Sequence, residues 1–524
     1  MAGASAFVRA VNSGSGRTTS TDADGNFQVN NLEPALYLVN ANAPAYTSVP
    51  SDPNAPAYYR IGDSVNLQLV RGGVITGAVT NSSGEPLVAV RVRATMTRDT
   101  KGKSTRLPYV YSMEQSTDDR GIYRIYGLVP GNYLVSAGGY GSQAFQFNPY
   151  DTDVPTYAPS STRDDAAEVN VSAGEETNVD IRYRGEQGHS ISGTVKVAGT
   201  SGSSVSLLPA GTTIMPATNT FQEPGGRGFA FNGVADGEYV LIAEEFAPTG
   251  TPTPMMTVSE PKRVIVKGAN VSGVELIPIP LALISGRLVL QASKLTECEG
   301  KRPPLLSETL VQLKRPEVDP EKDGPVLRQN YGTSASPDAN GAFTLRNVSP
   351  GKYQFEPRFY ARYWYLQSIT WRAAPASGPR SQTSRASDAA ATWTTVKSGD
   401  QLNNLTITLA EGAASIRGKT TVADPPVSAT LFLVPAEPDK ADDVLRFFVT
   451  EIAADGTFAL NNLPPGRYWL LTQTNTDAQL AKLAKLREPE AATARTKLRR
   501  AAETQKNQIE LKPCQNLADY QLKQ

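Results

Sequence analysis

The chain has 524 residues, and 51 lysines and arginines balance 51 aspartates and glutamates. Zero net charge argues against nucleic acid as a partner, because such a partner calls for a basic stripe. A single histidine, His189, and two cysteines exclude a multi-histidine zinc site and argue against a Ser-His-Asp triad or a Cys-His pair. The length suits four or five domains, and frequent Gly and Pro between short alternating runs suit an all-β fold. No run approaches the ~18 apolar residues of a membrane span. The opening Met-Ala-Gly-Ala-Ser-Ala has neither the basic nor the apolar region of a secretion signal.

In chain order, the same pattern recurs five times, in segments 1–72, 73–187, 188–281, 282–411 and 412–524. Segment one starts with Ala6-Phe7-Val8-Arg9-Ala10-Val11. It continues through the turn Asp22-Ala23-Asp24-Gly25, then Phe27, Val29, Leu32, Pro34 and Tyr37, and ends on Val65-Asn66-Leu67-Gln68-Leu69. Segment two opens with Val74-Ile75-Thr76-Gly77-Ala78-Val79 and carries Asp118-Asp119-Arg120-Gly121, Tyr123, Ile125, Leu128, Pro130-Gly131 and Tyr133. Segment three opens with Ile191-Ser192-Gly193 and carries Gly225 to Gly228, Phe229, Phe231, Val234, Asp236-Gly237 and Tyr239. Segment four opens with Ile284-Ser285-Gly286 and carries Asp338 to Gly341, Phe343, Leu345, Val348, Pro350-Gly351 and Tyr353. Segment five opens with Ile416-Arg417-Gly418 and carries Asp455-Gly456, Phe458, Leu460, Leu463, Pro465-Gly466 and Tyr468.

Each copy reads as turn, strand, turn, strand. Asp bonds its own backbone in the first turn, and Gly accepts positive φ. Alternating apolar residues then bury one strand face. Segments of roughly 100 residues are too long for solenoid repeats and imply an array of globular β-sandwiches with almost no linkers. One stretch breaks the β rule. Residues 477–505 are rich in helix formers, with Asp477 as a cap and Pro489 as a break. Its basic residues Lys482, Lys485, Arg495, Lys497, Arg499 and Arg500 read as a solvated face.

The Ile-x-Gly opening, the Asp-x-x-Gly-x-Tyr/Phe turn and the Leu-x-Pro-Gly-x-Tyr corner resemble the carboxypeptidase regulatory-like domain, a transthyretin-like (prealbumin-like) Greek-key sandwich related to Cna-B modules. The resemblance covers nearly the whole chain and departs at Ala35 and Asp236. It implies a tandem-repeat protein of bacterial, acidobacterial type, secreted or held in the cell envelope, with no cofactor and no catalysis. The zinc-binding His-x-x-Glu of the catalytic partner domain is absent from the sequence. So is any repeated Lys, Glu and Asn set of the kind that forms isopeptide bonds in Cna-type relatives.

The acidic turns could suggest calcium, but they lack the ligand count and distal Glu of an EF-hand, and turn chemistry explains them. The aromatic run Phe359, Tyr360, Tyr363, Trp364 and Tyr365, with Trp371 beyond, offers flat faces for a polysaccharide or for packing, as do Tyr140, Phe145, Phe147, Tyr150 and Tyr157 in segment two and Tyr46, Tyr58 and Tyr59 in segment one. Cys298 and Cys514 suit a disulfide tying segments four and five, Cys514 standing where other segments have Gly174, Gly268 or Gly399. Segment one has no Ile-x-Gly opening, only five residues before Ala6. A sandwich short of one strand exposes a template for another chain, unless residues lost by truncation ahead of this sequence supply the strand. The expectation is therefore a non-enzymatic extracellular structural or adhesive protein, a filament or stalk subunit self-associating as a homopolymer through segment one. The alternative is a carbohydrate-binding surface protein that uses the aromatic segments.

Overall fold

The computed structural model describes residues 1–11, 15–48, 57–100, 102, 112–139, 148–197, 201–210, 218–222, 226–246, 256–316, 334–372, 387–420, 429–474 and 485–522. They fall in two compact units, Met1–Leu281 and, in the second, Ala282–Pro316 with Asn330–Gln524. The fold is all-β sandwich, with one α-helix among the described residues.

Segments two to five share one plan. An Ile-x-Gly strand lies at the centre of one sheet, antiparallel to the strand after the Asp-Gly turn and parallel to the closing strand. In segment two these are Gly73–Thr80 beside Ile122–Leu128 and Glu176–Asn178. In segment three, His189–Val195 lies beside Gly228–Val234 and Val271–Leu276. In segment four, Ala282–Gln291 lies beside Ala342–Val348 and Gln401–Glu411. In segment five, Ala414–Thr420 lies beside Thr457–Leu463 and Asn516–Leu522. The parallel pair is possible because the closing strand returns only after a long crossover.

The second sheet of each segment packs over the first. In segment two it runs Ser112–Ser116, Arg91–Asp99, Gly131–Ala137. Alternation does the packing: Gly73–Thr80 buries every second residue, and Ile75 and Val79 meet Val92, Tyr133 and Val135 in one core. Equivalent cores form around Ile191 with Leu207, Ile284 with Val311, and Ile416 with Leu431.

Two devices recur in all five segments. The first is a tyrosine at the start of the strand after the second turn, donating its hydroxyl hydrogen to the carbonyl four residues back. The pairs are Tyr37 to Glu33 (2.6 Å), Tyr133 to Val129 (2.8 Å), Tyr239 to Ala235 (3.0 Å), Tyr353 to Ser349 (2.7 Å) and Tyr468 to Pro464 (2.8 Å). This is the logic of a tyrosine corner, a buried ring whose polar tip is satisfied by its own turn. The second is a left-handed residue just before the apolar residue that ends the hairpin strand: Asn31, Gly127, Gly233, Asn347 and Asn462, with φ of 56°, 75°, 67°, 58° and 57°. Only Gly, or Asn at a cost of about 1 kcal/mol, visits that region readily. In segments two to five it coincides with a register shift against the opening strand.

Segment one departs from the plan. Its Ser5–Ala10 lies between Gly16–Ser20 and Tyr37–Asn42, which is the second sheet alone. Phe27 to Leu32, expected to be a strand, forms none. A strand exists only through its partners, and no opening strand lies beside this stretch among the described residues. Leu69–Arg71 pairs with Tyr46–Ser48 instead of an opening strand.

The expected helical stretch gives one α-helix, Ala492–Gln505, beginning just after Pro489. Asp477 and Lys482 lie outside the described residues. The helix does not float in solvent. Leu498 and Ala502 pack on Phe432, Val434 and Leu471, which face away from the segment-five core. Arg495 corrects the expectation of a solvated basic face. It is 9% exposed, and its Nη1 donates to the carbonyls of Leu486 and Glu488 at 2.6 and 2.8 Å. Arg499 Nε donates to the Pro435 carbonyl at 3.1 Å. Lys497 and Arg500 are exposed.

Candidate functional site

The candidate site is the unfilled half of segment one. Its Asp22 turn is fully made. Asp22 Oδ1 accepts from the backbone N–H of Asp24 (3.0 Å) and Asn26 (2.8 Å), and Asp22 N–H donates to the Asn26 carbonyl. Beyond the turn, Phe27 and Val29 are half-buried while Asn26, Gln28 and Asn30 are exposed, so the stretch keeps a strand's alternation without a strand's pairing. Asn31 holds the left-handed geometry. Beneath lies a small core of Val8, Ala10, Ala35 and Tyr37, with Val29, Leu32 and Val39 only partly buried. Val65 and Leu67 are half-buried between exposed neighbours, again a strand pattern.

The other acidic turns repeat the Asp22 geometry. Asp118 Oδ1 accepts from Arg120 N–H (3.0 Å) and Ile122 N–H (2.8 Å), and Asp338 Oδ1 from Asn340 and Ala342 N–H. The Ile122 N–H, more than the Arg120 side chain, holds the Asp118 carboxyl below the usual carboxylate range. These oxygens are committed to backbone hydrogens. Among the described residues no group of three His, Cys, Asp or Glu is placed to hold a metal.

The aromatic segment turns mostly inward. Trp364 is 3% exposed within the segment-four core. Trp371 packs against Phe355, ring centroids 6.2 Å apart, and Tyr363 lies under the Lys301 ammonium at 4.6 Å. Tyr365 is half-buried, and burial pushes its hydroxyl pKa up. Tyr360, 37% exposed, is the most open ring of the set. In segment two, Tyr150 meets Tyr183 edge-on, while Tyr140, Phe145 and Phe147 lie outside the described residues.

Cys298 and Cys514 form a disulfide with Cα atoms 5.4 Å apart. Cys514 has φ of 56°, matching Gly174, Gly268 and Gly399 at 72°, 63° and 74°.

Sequence reasoning missed Glu244. It is 4% exposed on Gly237–Phe246, on the same face as Val240 and Ile242, away from the segment-three core. Its register neighbours are Ser204 and Val258, and its Oε2 has no hydrogen-bond partner among the described residues. Burial alone pushes its pKa up to about 7. The Glu244-Glu245 pair was the available signal, since two acids inside an apolar strand cannot both face solvent.

No family model matches the chain, and no curated protein matches it. Several solved structures are similar in part. The Bacillus anthracis TIE protein is 12% identical at a TM-score of 0.14, over 78% of this chain and 68% of that one. The major pilin subunit of Bacillus cereus is 11% identical at 0.15, over 64% and 99%. A candidate polysaccharide-binding protein of Bacteroides thetaiotaomicron is 12% identical at 0.18, over 33% and 77%. TM-scores this low leave fold and function to be argued from the chain's own geometry. That geometry defines an all-β chain of sandwiches.

Proposed function

We propose that this chain is a non-enzymatic structural and adhesive protein of the cell surface or extracellular space. It consists of five carboxypeptidase-regulatory-like sandwiches in tandem, and it self-associates through segment one, where the stretch 26–32, unpaired among the described residues, takes up a strand of another chain. The observation that carries the reading is the stretch Phe27 to Leu32. It keeps its turn, its alternation and its left-handed Asn31, but has no strand beside it. Backbone groups left in that state are a template for strand addition, in which main-chain hydrogen bonds supply affinity. A head-to-tail contact of this kind that does not close on itself yields a polymer. The near absence of linkers between segments suits a stalk that transmits force. The test is electron microscopy of native material beside sedimentation of the purified chain. Fibres, and a sedimentation coefficient that climbs with concentration, support the reading. Single short rods at every concentration reject it.

A further inference from the structure

We propose that the open slot of segment one takes an extended strand of the pattern small–x–apolar–x–Gly–x–apolar, laid antiparallel to residues 26–32 with its Gly opposite Phe27. This rests on the reading that segment one is completed by another chain, and it names the chemistry of the strand that completes it.

Segments two and four hold such a strand in full in the equivalent place, and segments three and five hold it with His189 in the first place and Thr420 in the last, all in one shared register. Gly77, Gly193, Gly286 and Gly418 stand opposite Tyr123, Phe229, Phe343 and Phe458. Two residues earlier, Ile75, Ile191, Ile284 and Ile416 stand opposite Ile125, Phe231, Leu345 and Leu460, and each is fully buried. After the left-handed bulge, Leu128, Val234, Val348 and Leu463 pair with Gly73, His189, Ala282 and Ala414. Segment one presents the acceptor side of all three contacts. Phe27 matches the aromatic, Val29 the apolar partner and Leu32 the residue after the bulge, with Asn31 already left-handed.

The glycine follows from a hard contact. A Cβ built on Gly193, Gly286 or Gly418 would lie 1.9, 2.7 or 2.3 Å from a backbone carbonyl oxygen of the closing strand, and one on Gly77 2.0 Å from that of Val179, the residue just after it. On Gly193, Gly286 and Gly418 it would also meet the opposing ring at 2.8, 2.5 and 2.7 Å. Backbone on one side and a packed ring on the other leave no room for a side chain. The half-buried Val65 and Leu67 carry the closing-strand pattern in segment one. The donor's apolar residue two before its Gly would lie opposite Val29, its small residue opposite Leu32 and its last apolar residue beside the Gly25 turn, as Ile75, Gly73 and Val79 lie against Ile125, Leu128 and Gly121.

The probe is a synthetic peptide with the sequence of Gly73–Thr80, flanked by lysines for solubility, added to the full chain. A second peptide carries the Gly77→Ala change, and a third has the same composition in scrambled order. Hydrogen exchange should slow at least tenfold in residues 26–32 with the first peptide. Binding of the Ala peptide should be at least tenfold weaker, and the scrambled peptide should give no protection. If the slot is already filled by a second copy, the Gly peptide should dissociate the assembled fraction and the Ala peptide should not. Equal protection by Gly and Ala peptides, protection confined to other segments, or none at all overturns the proposal. Peptide uptake by a chain that sediments as a monomer at every concentration keeps the slot and removes self-assembly.

Discussion

Glu244 gives segment three a stability that falls as pH rises. Its carboxyl sits near 7 when folded and near 4.5 when exposed, because burial disfavours the charge. Between those values the folded state binds more protons than the unfolded state, so the stability it confers is complete below about pH 4.5 and lost through about pH 7. A gap of about 2.5 at 1.36 kcal/mol each gives an upper figure of about 3 kcal/mol, roughly a 300-fold change in an opening equilibrium. Hydrogen exchange of Gly202–Pro209 and Gly237–Phe246 reads that equilibrium locally, which suits a chain of many cores better than one global melt. Corrected for intrinsic rates, protection of these strands should drop between pH 5 and pH 8. Protection of Gly131–Ala137 serves as the internal control. Glu244→Gln keeps the shape and removes the charge. It should flatten the profile and leave the strands better protected than the wild type at pH 8. A wild-type profile as flat as that of Glu244→Gln would refute the burial of this carboxyl.

Three further outcomes follow from single contacts. Gly77→Ala places a Cβ 2.0 Å from the Val179 carbonyl oxygen, and should cost segment two about 3 kcal/mol or more, read as early proteolysis within 73–187. Intact resistance in that segment would contradict the close approach. Tyr133→Phe removes the 2.8 Å bond to Val129 and strands a buried carbonyl, for a loss of about 1–2 kcal/mol in the same assay. No loss would mean that the corner is held by the ring alone. Cys298 and Cys514 are 216 residues apart, so reduction should destabilise the second unit by roughly 5 kcal/mol in the chain-entropy model. Two free thiols in a non-reduced digest of the native protein would remove that contribution.

What was legible in the sequence was what local chemistry dictates. The Asp-Gly turns, the Pro-Gly corners and a helix beginning after Pro489 follow from residues a few positions apart. What escaped depends on distant partners. Phe27 to Leu32 has strand composition but no strand, since pairing is supplied from elsewhere in the chain or beyond it. Trp364 lies in a run of five aromatics spanning a turn and a strand, where periodicity cannot tell the buried ring from Tyr360. Arg495 looked solvated because helix spacing does not reveal that carbonyls of Leu486 and Glu488 face it.

The most direct test is hydrogen exchange of residues 26–32 in the unmodified chain, followed across a concentration series with sedimentation on the same samples. At the lowest concentration these amides should exchange freely while Ser5–Ala10 is protected. Their protection should rise in step with the assembled fraction. A monomer whose residues 26–32 are fully protected at every concentration would contradict the account, and so would an assembled form in which they still exchange freely.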